Sequence, residues 1–150
     1  WSFNGHVSSL EMDVEDVAEI GVKFAGGAVG GVHLNYVQRP PVHRLEIVGT
    51  DGTLRWDNAD GILHFFKMPA PFGSFSDNPP APVVETFAPP EGFERNQLFL
   101  AQTRHFVETA RRESEPRCTL ADGVRTLSLA LAAKESARTG RVISMSEAGR

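Results

Sequence analysis

The first ninety residues alternate apolar and polar positions with a period of two, which is the pattern of half-buried β-strands. In residues 17–24 the apolar side chains at 18, 20, 22 and 24 share one face, and Glu19, Gly21 and Lys23 fall on the other. Further stretches with strand character follow at residues 28–37, 44–47, 54–57, 62–67 and 83–87. The pattern therefore predicts about six strands.

Glycines and prolines separate these strands. Gly26-Gly27 and Asp51-Gly52 predict tight hairpin turns, because such turns need residues that tolerate a positive φ angle. Pro40 ends the second strand, because proline has no N–H to donate to a neighbouring strand. Residues 68–82 are rich in Pro, Gly, Ser and Asn, which predicts an exposed loop.

The rest of the chain changes to a helical period. One helix is predicted over residues 94–112, and a second begins at Thr119, which forms a capping box with Asp122, and ends at Gly140. The apolar stripe of the second helix is formed by Leu120, Val124, Leu127 and Leu131. Strands followed by helices predict an α+β fold, with a largely antiparallel open sheet of about six strands and two main helices packed on one face.

Composition and charge narrow the class of protein. A chain of 150 residues fits one domain, residues 1–150, that can bury a core. The formal net charge is −4 and no Lys/Arg cluster forms a basic stripe, so we expect no nucleic-acid partner. No apolar run approaches the roughly 20 residues of a membrane span, and Cys118 is the only cysteine. We therefore expect a cytoplasmic protein with no internal disulfide and no membrane contact.

The common signatures of catalysis do not match the sequence. Residues 26–31 are rich in glycine, but they lie between two predicted strands and do not follow the G-x-G-x-x-G pattern, which favours a hairpin over a phosphate loop. None of the five histidines has the spacing of a zinc site, so we expect no metal. The carboxylates of residues 11–16 are close enough for paired acid–base chemistry, although a solvated segment is favoured.

One loop keeps the features of a binding site. Residues 36–44 join two predicted strands and contain four hydrogen-bonding side chains, Tyr36, Gln38, Arg39 and His43. These groups suit a polyol or a carboxylate, because Arg39 offers a planar set of donors and strand-end loops often carry function. An ordinary surface loop is the alternative.

The polar faces of the predicted strands carry both signs of charge. Their members are Glu19, Lys23, His33, Asn35, Arg44, Glu46, Arg55 and Asp57. Such a face is either solvated, as antiparallel sheets commonly are, or it pairs with a second copy of the chain across a two-fold axis, where mixed charges are self-complementary. The pattern alone leaves both possibilities open.

Four segments also carry a family resemblance: residues 13–16 (DVED), 36–40 (YVQRP), 45–54 (LEIVGTDGTL) and 129–141 (LALAAKESARTGR). Together they resemble the C-terminal domain of the GFO/IDH/MocA oxidoreductases, over about residues 10–143. The resemblance implies hydride transfer to or from a sugar, cyclitol or similar small carbonyl or alcohol. It also implies that NAD or NADP binds to an N-terminal Rossmann domain, which would precede Trp1.

The same resemblance implies two roles for residues of this chain. The loop side chains Tyr36, Gln38, Arg39 and His43 match the family's loop near the substrate cleft or a neighbouring subunit. The polar sheet face matches the surface through which related enzymes commonly associate, so the resemblance favours a homo-oligomer. No residue is expected to bind the cofactor or a metal.

No catalytic residue is carried over by the resemblance. The family's catalytic lysine lies in a Glu-Lys-Pro motif, which this sequence lacks, and His6 follows Asn4-Gly5 rather than lying on the family's Asp/His helix. We therefore expect the chain alone to bind no NAD or NADP and to be inactive, because hydride transfer needs a bound nicotinamide. The alternative is a stand-alone module that binds a small ligand or self-assembles without catalysis.

Overall fold

The computed structural model describes residues 1–68 and 81–145. Within them the strands are β1 (Ser2–Gly5), β2 (Val17–Lys23), β3 (Val29–Asn35), β4 (Arg44–Gly49), β5 (Gly52–Asp57), β6 (Leu63–Lys67) and β7 (Val83–Phe87), and the helices are α1 (Asn96–Ala110) and α2 (Leu120–Thr139). All of the strand pairs are antiparallel. The predicted α+β class is confirmed. The predicted loop at residues 68–82 lies almost entirely outside the described residues.

The strands form two sheets, where the sequence predicted one sheet of about six strands. The first has the order β1-β2-β3 and the second has the order β4-β5-β6-β7. The additional strand is β1, whose four residues are too few to show a period of two. The break falls between β3 and β4, where Pro40 and Pro41 have no N–H groups with which to continue a ladder.

The chain divides into two compact units. The first contains residues 1–38 and 104–150, and the second contains residues 39–103. The boundary at Gln38 falls inside the loop that follows β3, and α1 begins in the second unit and ends in the first. The expectation of a single domain stays a prediction.

In the first unit α2 packs against β1 through small side chains. Ala132, Ala133 and Ser136 are buried, and small residues allow a helix and a strand to approach closely. The Ser136 hydroxyl accepts a hydrogen bond from the Ser2 N–H (2.9 Å) and donates one to the Arg141 carbonyl (2.6 Å). The predicted apolar stripe of α2 does not make this contact, since its side chains are 56–86% exposed: Leu120, Val124, Leu127 and Leu131.

Both predicted termini of α2 are confirmed. The Thr119 hydroxyl accepts from the Asp122 N–H (3.2 Å), and the Asp122 carboxylate accepts from the Thr119 N–H (2.9 Å), which completes a capping box. The hydrogen bond from the Thr119 hydroxyl also lowers the pKa of Asp122. At the other end Gly140 has a φ of 68° and donates its N–H to the Ser136 carbonyl at 2.8 Å, so a residue without a Cβ occupies the left-handed position.

Candidate functional site

Three strand termini of the first unit lie side by side. Gly5 at the end of β1 is opposite Val17 at the start of β2, and Val17 is opposite Asn35 at the end of β3. Because the strands are antiparallel, the segments after β1 and β3 leave the sheet at the same end. The candidate site is built on these two segments, residues 6–8 and 36–38.

Asn35 shapes the first half of the predicted binding loop. Its Oδ1 accepts hydrogen bonds from the N–H groups of Val37 (2.8 Å) and Gln38 (3.0 Å), which forms an Asx turn. The Tyr36 N–H donates to the Asp16 carbonyl at 2.9 Å. Tyr36 is 65% exposed and Gln38 is also exposed. The structure therefore places two of the four predicted residues close together on one turn, which the end of the sheet holds in place.

Arg39 and His43 belong to the second unit, and both are exposed. The peptide bond between Arg39 and Pro40 is cis. The His43 carbonyl accepts from the Asn58 N–H at 2.9 Å, and the His43 ring meets the Trp56 ring edge-on with centroids 5.1 Å apart. The contact between the two rings orients the imidazole of His43. The assignment of all four loop residues to substrate binding stays a prediction.

Asp16 is a buried carboxylate that the sequence prediction missed. It was predicted to lie in a solvated acidic segment, residues 11–16, but it is 1% exposed. One oxygen accepts from the Val7 N–H (2.8 Å), and the other accepts from the Ser8 N–H (2.9 Å) and the Ser8 hydroxyl. The Ser8 hydroxyl and the Val7 N–H lower the pKa of Asp16 from 3.8 to about 2. No local motif signals this role, because its partners lie eight and nine residues earlier.

His6 lies beside this carboxylate. Its Nε2 is 3.8 Å from an Asp16 oxygen and its side chain is 35% exposed. That separation is too long for a hydrogen bond. The sequence prediction assigned His6 no role, and only the pairing of β1 with β2 places its imidazole near Asp16. The ring therefore stands at the same end of the sheet as Tyr36.

Six residues of the predicted polar face pair across strands within each sheet. The pairs are Glu19–His33 in the first sheet, and Arg44–Asp57 (2.9 Å) and Arg55–Glu46 (2.7 Å) in the second. They belong to two sheets because the ladder breaks between β3 and β4. The single polar face predicted from the sequence is therefore replaced by two faces, one in each unit.

The glycine-rich segment at residues 26–31 takes part in a hairpin, as predicted. The Phe24 N–H donates to the Ala28 carbonyl at 2.9 Å, and Gly27 has a φ of 90°. The segment connects two antiparallel strands, so it does not provide the strand-to-helix turn of a phosphate loop.

Within residues 1–68 and 81–145, no three His, Cys, Asp or Glu side chains are grouped so that they could hold a metal ion. In the same part of the chain, no helix has the length and apolar character that a membrane span requires. The candidate site of the first unit is formed by residues 6–8 and 36–38, and Arg39 and His43 are described with the second unit.

Comparison with protein-family models shows which family this sequence resembles. A protein-family model described as "Oxidoreductase family, C-terminal alpha/beta domain" matches residues 2–145. A search of curated proteins finds no relative that matches the chain. The matched span includes all of the strands and helices described above, the loop at residues 36–43 and the segment at residues 6–8.

Proposed function

Because this chain belongs to the GFO/IDH/MocA oxidoreductase family as its C-terminal α/β domain, we propose that it is the substrate-binding and oligomerisation domain of an NAD(P)-dependent oxidoreductase. The proposed substrate is a sugar, a cyclitol or a similar small carbonyl or alcohol. The observation that carries this proposal is the family match across residues 2–145, together with the Asx turn that presents the loop after β3.

The loop at residues 36–43 supplies the hydrogen-bonding groups that such a substrate needs. The Tyr36 hydroxyl and the Gln38 amide both donate and accept, which suits the hydroxyl groups of a polyol. The Arg39 guanidinium donates through a planar fork, and the His43 imidazole adds one donor and one acceptor when it is neutral. Because Asn35 holds the start of the loop in one conformation, less conformational entropy is lost on binding.

The glycine-rich segment at residues 26–31 does not fit a nicotinamide dinucleotide. A dinucleotide-binding fold places a glycine-rich turn between a parallel strand and a helix, whereas residues 26–31 join two antiparallel strands. A bound nicotinamide supplies the hydride chemistry of such enzymes. We therefore assign cofactor binding and catalysis to a separate domain of the parent enzyme, and to this chain the binding and orientation of the substrate.

An NMR titration of the ¹⁵N-labelled chain tests the proposed function. We expect millimolar myo-inositol, D-glucose or D-gluconate to shift the amide signals of residues 36–43, and NADH to shift none. Arg39→Ala should weaken binding about tenfold, because a charge-assisted hydrogen bond contributes roughly 1.5 kcal/mol or more. Arg95→Ala is the matched control, because this exposed arginine lies in the same unit outside the loop.

Two results would count against the proposal. The first is a titration in which no compound of the panel shifts residues 36–43. The second is an equal loss of affinity in Arg39→Ala and Arg95→Ala, which would indicate non-specific attraction to positive charge. The alternative of a stand-alone module would gain support if the chain bound a sugar but showed no dehydrogenase activity after fusion to a cofactor-binding domain.

We also propose that the chain forms a homo-oligomer through a polar sheet face. In the second sheet Arg44–Asp57 and Arg55–Glu46 place alternating charges side by side on β4, which is exposed, and β5, which is partly exposed. A surface with both signs of charge can complement its own copy across a two-fold axis. These side chains already pair within one chain, so a single charge reversal would disturb the sheet as well as any oligomer.

A charge swap separates these two effects. The double variant Glu46→Arg/Arg55→Glu keeps the ion pair within the sheet. It reverses the positions of the positive and negative charges on the surface that would contact a second copy. We expect the single variant Arg55→Glu to be both less stable and less dimeric, and the swap to keep its melting temperature while its dimer dissociation constant rises. Sedimentation equilibrium measures the dissociation constant. A wild-type chain that stays monomeric at high concentration would refute the proposed oligomer.

The proposed compartment is the cytoplasm. Cys118 is exposed and is the only cysteine of the chain, so the domain contains no internal disulfide. Proteins stabilised without disulfides are typical of reducing compartments, and a nicotinamide-dependent oxidation of sugars or cyclitols is compatible with that setting.

A further inference from the structure

We propose that the residues joined to Trp1 in the parent enzyme continue strand β1 along β2, and that the residue directly before Trp1 places an apolar side chain in a cavity between β2 and α2. This inference rests on the proposed function, because it takes the cofactor-binding domain of the parent to be connected to this chain at Trp1. It concerns the junction between the domains and not the substrate loop.

Trp1 extends the pairing of β1 with β2 by one residue beyond Ser2. Its nitrogen donates to the Gly21 carbonyl (3.1 Å), and its carbonyl accepts from the Gly21 N–H (2.9 Å). This is the hydrogen-bonded pair of an antiparallel ladder, so the backbone at Trp1 is directed along the edge of β2. A residue attached to the Trp1 nitrogen would lie opposite Val22, and the one before it would lie opposite Lys23.

Strand β2 offers backbone groups beyond Trp1. In an antiparallel pair every second residue directs its N–H and C=O groups to the same neighbouring strand. Gly21 directs these groups to β1, so Lys23, which is the last residue of β2, directs its own to the same side. Within the described residues, no strand lies beside Lys23 on this side. An open strand edge of this kind accepts an additional extended segment.

A cavity of about 540 Å³ lies beside this edge. Strand β2 contributes Ile20 and Val22 to its lining, α2 contributes Leu129 and Ala133, and Trp1 also borders it. The side chains that β2 and α2 contribute here are apolar, so an apolar group that entered the cavity would remove hydrophobic surface from water. The cavity is therefore suited to an apolar side chain and unsuited to a charged or amide side chain, which would lose its hydration there.

The register of β1 determines which side chain reaches the cavity. Ser2 is opposite Ile20 and is 3% exposed, and its N–H donates to the Ser136 hydroxyl of α2, so both lie on the face that α2 covers. Successive side chains of a strand alternate between faces. The Trp1 ring lies on the opposite face, where an added Cβ at Gly21 would be 2.7 Å from it. The residue directly before Trp1 would return to the face of Ser2 and point towards the cavity.

A junction of this kind would give the parent enzyme a fixed point of attachment between its domains. Hydrogen bonds to β2 would hold the backbone before Trp1 in an extended conformation, whereas a linker without such bonds behaves as a flexible chain. The place at which the polypeptide enters the substrate-binding domain would then be determined by β2 and α2.

Short N-terminal extensions of the chain test this inference. Gly-Asn-Val placed directly before Trp1 supplies a backbone for Lys23 and a valine for the cavity. Gly-Val-Asn is the matched control, because it has the same composition and charge but directs asparagine to the cavity. We expect the melting temperature of the Gly-Asn-Val chain to be roughly 3 °C or more above that of the control, because only its valine is buried.

Hydrogen exchange followed by NMR provides a second measurement. In the Gly-Asn-Val chain the Lys23 amide should exchange at least about fivefold more slowly than in the chain without an extension, which is the effect expected of one added hydrogen bond. The amide of Lys67, the last residue of β6 in the second unit, is the internal reference and should exchange at an unchanged rate.

The possible outcomes separate this inference from the proposed function. Equal melting temperatures of the two extended chains would refute the placement of the side chain in the cavity, and an unprotected Lys23 amide in both would refute the continuation of β1. The cavity would then have a different occupant, such as a small apolar molecule. The titration of residues 36–43 depends on neither result. A protected Lys23 amide together with a failed titration would keep the strand continuation and refute the substrate-binding role.

Discussion

Replacing Gly52 with alanine is expected to destabilise the second unit by about 3–5 kcal/mol, through a steric clash and a strained backbone. A Cβ atom at this position would lie 2.2 Å from the Phe66 carbonyl oxygen and 2.9 Å from the Phe65 ring. The oxygen belongs to the backbone of β6, which cannot move away without breaking its ladder with β5. Gly52 also has a φ of 151°, a conformation that residues with a side chain rarely adopt.

Thermal unfolding followed by circular dichroism measures this effect. A loss of that size lowers the melting temperature by roughly 10 °C or more in a chain of this length. Gly49→Ala is the matched control, because Gly49 pairs directly with Gly52 and its added Cβ would have an ordinary contact, 3.7 Å from the Gly52 carbonyl. Similar losses in the two variants would show that the clash with β6 is not the cause.

Replacing Asp16 with asparagine is expected to lower the melting temperature by roughly 5 °C or more at neutral pH, since a buried hydrogen-bond network loses an acceptor. The substitution keeps the shape of the side chain. However, one acceptor oxygen becomes an NH₂ group that faces an N–H donor of Val7 or Ser8, so at least one buried polar group loses its partner.

We expect the pH dependence of stability to identify the ionised form of Asp16 as the stabilising one. Folding lowers its pKa from 3.8 to about 2. A group with a lowered pKa contributes its full stabilisation above its unfolded-state pKa and loses it as the pH falls through the folded-state value. The melting-temperature difference between wild type and Asp16→Asn should therefore be constant above about pH 5 and should shrink as the pH falls from about 4 towards 2.

Asp13→Asn controls for the general effect of removing a negative charge. Asp13 lies in the same acidic segment but is exposed, so its substitution should leave the melting temperature almost unchanged at every pH. A difference between wild type and Asp16→Asn that persists undiminished at pH 2 would contradict the assignment. It would mean that the loss comes from the NH₂ group that replaces an acceptor oxygen, and that the charge of the carboxylate does not contribute.

Local patterns were sufficient to predict much of the fold. The hairpin turns at Gly26-Gly27 and Asp51-Gly52 depend on residues that tolerate unusual backbone angles, and the start of α2 depends on Thr119 and Asp122 three residues apart. Turns and helix caps depend on residues that are close together in the sequence, so local sequence patterns are sufficient to predict them. The α+β class followed from the order of these elements.

Contacts between distant segments decided the features that the sequence did not predict. The four residues of β1 form a strand because β2 offers a partner, and α2 packs on β1 through Ala132, Ala133 and Ser136 instead of its apolar stripe. The number of sheets depended on whether β3 and β4 pair. The alternation of apolar and polar residues predicts each strand but does not predict which strands are neighbours. A helix that has apolar side chains on one face and small side chains on another offers two packing surfaces, and only the tertiary structure selects between them.

The candidate site shows the same division. Residue types alone drew attention to the loop that contains Tyr36, Gln38 and Arg39, because hydrogen-bonding groups in a proline-stiffened loop are visible in the sequence. The sequence alone gave no reason to distinguish Asp16 from the other carboxylates near it, or His6 from the other histidines. A carboxylate becomes buried and bonded to two segments only when the chain brings those segments to one end of a sheet, so the positions of Asp16 and His6 were decided by the tertiary structure.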